Sequence, residues 1–75
     1  MEKKINSLLS EIRPEFDFEK SSNFIEEGLL DSFDILSLVV SLDEEFSISI
    51  SGTDIIPENF SSTESILSLL TKNGV

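Results

Sequence analysis

The chain has 75 residues, 15 of them acidic and 5 basic, with no cysteine and no histidine. That length holds one small domain, and the missing side chains exclude a disulfide, a Cys/His zinc site and any Ser-His-Asp or Cys-His nucleophile built from this chain alone. The net charge of −10 repels a phosphate backbone or an anionic membrane surface and favours basic proteins as partners.

The bases are Lys3, Lys4, Arg13, Lys20 and Lys72, all outside the stretch 21–71, which carries ten acids. No apolar run exceeds three residues, so neither a signal peptide nor a membrane span is expected. The expectation is a soluble, cytosolic monomer that contacts neither nucleic acid nor the membrane interior. A mean composition of 39% hydrophobic residues with helical periodicity argues for a folded domain over a disordered acidic tail.

In chain order, the first helix is expected from Glu2 to about Ile12. Ile5, Leu8, Leu9 and Ile12 fall on one face, and Pro14 biases the preceding residue away from helix. A long connection follows to Asp31, with Phe16, Phe18, Phe24, Ile25, Leu29 and Leu30 pinning it to the core and Gly28 supplying a turn. The second helix is expected from about Ser32 to Phe46. Ile35, Leu38, Val39, Leu42 and Phe46 form its core stripe, and Phe33, Leu36 and Val40 a second apolar row rotated away from it. That second row is either additional core or an exposed docking patch. Asp43, Glu44 and Glu45 crowd the end of this helix, against the preference of the macrodipole for cations there. A local rule broken without visible gain often marks function.

The alternation S-I-S-I-S over 47–51 has no second strand to pair with, so an extended loop burying Ile48 and Ile50 is expected. Thr53 can cap a short helix over Asp54 to Ile56 that Pro57 would end. A last helix begins near Ser62, with Ser61 and Glu64 at capping-box spacing, and buries Ile66, Leu69 and Leu70 before Gly74. The fold class is all-α: a small bundle of three main helices plus one short one in a single domain.

The acids do not spell a calcium loop. Counting from Asp43 or from Asp31, the sixth position is Ile48 or Leu36, where the loop needs glycine. Paired carboxylates for acid–base chemistry lack a cleft in so small a bundle. Ser32 is the pointed feature. It is either the cap of the second helix or a modification site, and Asp31 can serve equally as the cap, leaving the hydroxyl free. A phosphate ester at a helix N-terminus meets N–H groups and a favourable dipole.

The run E-E-G-L-L-D-S-F-D, followed by I-L-S-L-V-V-S-L-D-E-E-F, resembles the phosphopantetheine attachment region of the acyl, peptidyl and aminoacyl carrier proteins. The resemblance covers most of the chain. It implies a four-helix bundle of acyl carrier protein type and no catalysis by the chain itself. Ser32 would receive 4′-phosphopantetheine from coenzyme A and carry cargo as a thioester. The resemblance also implies a partner surface at Asp31, Phe33, Asp34, Leu36, Val40, Asp43, Glu44 and Ile55, with Ile50 and Ile55 between the second and third helices. The implied partners are a phosphopantetheinyl transferase, a ligase or adenylating enzyme that loads acyl or aminoacyl groups, and a downstream synthase or transferase. Phe33 and Ser37 depart from the leucine and the acid usual in fatty-acid carriers. The segment E-E-G-L-L-D-S-F is particularly similar to the D-alanyl carriers of teichoic-acid modification, whereas E-E-F and I-P-E-N-F are more similar to discrete carriers of biosynthetic clusters. An acidic helical adaptor without a prosthetic group would need the same bundle and the same charge.

Overall fold

The computed structural model describes residues 1–75. Three α-helices form in it: α1 (Glu2–Ile12), α2 (Ser32–Phe46) and α3 (Thr63–Lys72). There is no strand, and no helix is long and apolar enough to cross a membrane. Helix α1 packs against both α2 and α3, because each of its apolar residues sits on one stripe. Ile5, Leu8 and Leu9 are buried and Ile12 is half-buried at the stripe's end. The helix stops where expected. Arg13 leaves helical geometry ahead of Pro14, and its N–H still donates to the Leu9 carbonyl at 2.9 Å.

The connection to α2 is ordered by its own hydrogen bonds. A 3-10 turn over Phe18–Lys20 is capped by Asp17, whose carboxylate accepts from the Glu19 N–H at 3.2 Å. Phe18 and Phe24 meet edge to face, 5.1 Å between centroids, and both are buried. The Phe24 N–H donates to the Ser61 carbonyl at 2.7 Å, and its own carbonyl accepts from Leu29 and Leu30. Gly28 takes φ +77° in open space, so it is the backbone freedom of glycine that the turn uses.

Helix α2 buries Ile35, Leu38, Val39 and Leu42. It ends at Ser47, which takes a left-handed φ of 53° while the Ile48 N–H reaches back to the Asp43 carbonyl. The segment after it is an extended loop, with Ile50 buried and Ile48 half-buried.

The expected short helix over Asp54 to Ile56 is replaced by two 3-10 turns, Gly52–Asp54 and Pro57–Phe60. Ser51, not Thr53, caps the first, its hydroxyl accepting from the Thr53 N–H. Ile56 is extended because a proline follows it. Pro57 opens the second turn instead of ending a helix, since its fixed φ and missing N–H suit a first position. The second turn places Phe60, fully buried, against α3 and α2. Burying a phenylalanine completely contributes about 1.5–3 kcal/mol. The cap of α3 is Ser62, whose hydroxyl accepts from the Ser65 N–H at 3.0 Å. Ser61 is drawn away from the expected Ser61–Glu64 box because its hydroxyl donates to the Glu58 carbonyl and its carbonyl serves Phe24. Gly74, at φ +90°, closes α3, with the Gly74 and Val75 N–H groups returning to Thr71 and Leu70.

Candidate functional site

The start of α2 is built by two aspartates and an arginine. Asp31 is the cap: its carboxylate accepts from the Asp34 N–H at 2.9 Å, and the Asp34 carboxylate accepts from the Asp31 N–H at 3.1 Å. The pair forms a reciprocal capping box with aspartate in place of the usual glutamate. Behind it stands Arg13, at the end of α1. Its Nε donates to Asp34 Oδ2 at 2.9 Å, Nη2 lies 3.5 Å from Asp31 Oδ2, and Nη1 lies 3.4 Å from Glu15. The contact with Asp34, first through its hydrogen bond and then through its charge, holds the guanidinium pKa above its ordinary value. The Asp34 N–H, above all, holds the Asp31 carboxyl below its ordinary range.

Ser32 is thereby relieved of capping. It is the first residue of α2 and is exposed, and neither its hydroxyl nor its N–H finds a partner within the chain. No side chain stands as a base beside it; the neighbouring carboxylates are committed to N–H donors and to Arg13. The arrangement presents a hydroxyl without activating it.

The second apolar row of α2 is not core. Phe33 is 82% exposed, Val40 57% and Leu36 54%, so the helix carries an apolar strip in solvent beginning one residue after Ser32. Folding leaves these three side chains uncovered on one side of the helix.

Three of the residues expected on the partner surface are committed elsewhere. Asp34 is 8% exposed and is bonded to Asp31 and Arg13, so little of it reaches the surface. Asp43 is half-buried, and its carboxylate accepts from the Ile50 N–H at 3.1 Å, anchoring the loop after α2. Its position against the macrodipole is thus explained by a structural bond. Ile55 packs half-buried against the core, and the neighbouring Ile56 is the exposed isoleucine of that turn. Glu45 meets Lys4 at 3.1 Å, while Glu44 is exposed and in no ion pair. Asp31 remains exposed despite its bonds.

Arg13 was absent from the sequence-derived site. Its signal was slight: a lone arginine between the end of a helix and a proline, 18 and 21 positions from its aspartates. Asp54 likewise meets Lys72 at 2.9 Å, so four of the ten central acids, Asp31, Asp34, Glu45 and Asp54, are met by bases from outside that stretch. Comparison with protein-family models, with curated proteins and with solved structures finds no match to this chain.

Proposed function

We propose that this chain is a discrete carrier protein of the acyl carrier type, modified at Ser32 with 4′-phosphopantetheine, which holds an acyl or aminoacyl group as a thioester and presents it to successive enzymes. The observation that carries the reading is the uncapped, unbonded, exposed hydroxyl of Ser32 at the head of a helix whose next turns bear Phe33, Leu36 and Val40 in solvent. The surroundings suit a phosphodiester. The Ser32 N–H is free at the positive end of α2, and the charge of the adjoining carboxylates is partly offset by Arg13 and by backbone donors.

The chemistry of attachment belongs to a transferase. Ser32 Oγ forms the new bond to phosphorus as the bond to the adenosine bisphosphate part of coenzyme A breaks, and the hydroxyl proton passes to a base on that enzyme. The bound group supplies a thiol on a long arm. The chain supplies the hydroxyl, the apolar strip and an acidic rim, including Asp31 and Glu44, that draws in basic partner surfaces.

Incubation with a phosphopantetheinyl transferase and coenzyme A, followed by intact mass, tests the reading. A single adduct of one phosphopantetheine, lost in Ser32→Ala, is expected. An unchanged mass with several competent transferases, or an adduct that survives Ser32→Ala, refutes it and leaves the acidic helical adaptor.

A further inference from the structure

We infer that Arg13 is a positioning residue for Ser32: by holding the Asp31–Asp34 box closed, it keeps the serine uncapped and the first turn that carries its hydroxyl in place for transfer. The inference rests on the carrier reading given above and deepens it. Arg13 acts through the two aspartates. Its Nε hydrogen bond goes to Asp34 Oδ2, the same oxygen that accepts the Asp31 N–H. The other box bond runs from the Asp34 N–H to Asp31 Oδ1, and Arg13 Nη2 reaches the second oxygen of that carboxylate. One guanidinium therefore touches both halves of the box. Its planar fork is what permits this; an ammonium on a flexible stem is a single point charge.

Without that fork the box works against itself. Two carboxylates in reciprocal bonding range repel one another, and the Arg13 charge is what offsets them. Asp34 is nearly buried, and a carboxylate there without its cation is costly. When the box opens, the first turn of α2 frays and Ser32 becomes free to cap in place of Asp31, since serine is nearly as good a cap. A capping hydroxyl is engaged with a backbone N–H and is no longer presented to a partner. Arg13 also ties the end of α1 to the start of α2, which fixes the direction from which α2 is entered.

The test compares wild type with Arg13→Gln and Arg13→Lys in two measurements. In the modification reaction, Arg13→Gln lowers kcat by about tenfold or more, since small displacements of a reacting group cost rate steeply, while KM for the carrier stays near its wild-type value because the exposed strip is intact. Arg13→Lys recovers part of the loss. In amide hydrogen exchange by NMR, Arg13→Gln speeds exchange at Asp31 and Asp34 by about tenfold with the core amides of Leu42 and Leu70 unmoved. A kcat equal to wild type overturns the inference while the carrier reading stands, as does a loss confined to KM. If wild type itself accepts no phosphopantetheine, the carrier reading fails, and the exchange data decide separately whether Arg13 holds the box. Unchanged exchange at Asp31 and Asp34 refutes that hold. Should Arg13→Gln lose its fold by circular dichroism, Arg13→Lys decides through the same two measurements.

Discussion

The two ends of α2 are both acidic, yet they use their acids differently. At the N-terminal end, Asp31 and Asp34 bond to each other's backbone N–H and share one arginine, and the macrodipole favours their charge. At the C-terminal end the macrodipole opposes Asp43, Glu44 and Glu45. There, Asp43 is retained for the Ile50 N–H, Glu45 for Lys4, and only Glu44 is uncommitted. A count of charges treats the two ends alike. Their partners show one end closed into a capping box with Arg13 and the other committed to anchoring a loop.

That contrast can be broken most sharply by truncating one acid at each end. Asp34→Ala removes a nearly buried carboxylate with two charge-assisted bonds, and an unfolding free energy lower by about 2 kcal/mol is expected. For a domain of this size that is a melting temperature lower by roughly 8–16 °C. Asp43→Ala loses one bond but also an unfavourable charge at a helix C-terminus, so a net loss of about 1 kcal/mol is expected. Urea denaturation of both variants checks the order. A neutral or stabilising Asp43→Ala would show that the dipole outweighs the loop anchor.

Acid should next separate the two ends. Asp31 has a carboxyl held below its ordinary 3.8, chiefly by the Asp34 N–H. Its unfolded form takes up a proton first as pH falls, so its contribution is complete above the ordinary pKa and lost as pH drops through the folded one. Thermal melts from pH 5 downward should show stability falling below about pH 4, and Asp31→Asn should flatten that fall. An unaltered slope in Asp31→Asn would mean that the capping bond does not depend on charge.

Weaker still is the effect of screening. Six of the fifteen acids lie in ion pairs, so self-repulsion is reduced but not removed. Added sodium chloride or millimolar magnesium should raise the melting temperature by a few degrees, on the order of 1 kcal/mol or less. A melting curve indifferent to both would show that the remaining acids lie too far apart to matter. The smallest change in stability belongs to Glu44→Gln, within about 0.5 kcal/mol of wild type. Its effect should fall on association, as a slower on-rate with a basic transferase that high salt abolishes; equal on-rates at low salt would remove Glu44 from the docking rim.

Local pattern carried much of this structure. The bounds of α1 and α2, the turn at Gly28, the buried Ile50 and the exit at Gly74 follow from periodicity, proline and glycine, all read within a few residues. That Ser32 could be left uncapped was legible because its neighbour Asp31 is an equally good cap. The bonds that were not legible join residues distant in sequence or depend on competition among equals. Arg13 to Asp34 spans 21 positions, and nothing in either neighbourhood names the other. Ser61 and Ser62 are indistinguishable as caps until Glu58 and Phe24 claim the first. Pro57 can stop one turn or start another, and the extended Ile56 decides for starting. Whether Phe33, Leu36 and Val40 were core depended on which neighbours α2 has, which its own period does not state.

Phe24 has one more consequence. Its N–H is bonded to Ser61, its carbonyl to Leu29 and Leu30, and its ring is sealed inside. The long connection before α2 therefore hangs from a point fixed by the segment leading into α3. Such a strand of chain is no hinge. It is expected to open only with the domain as a whole. On the carrier reading proposed above, little ordering entropy is then lost when an enzyme meets Ser32.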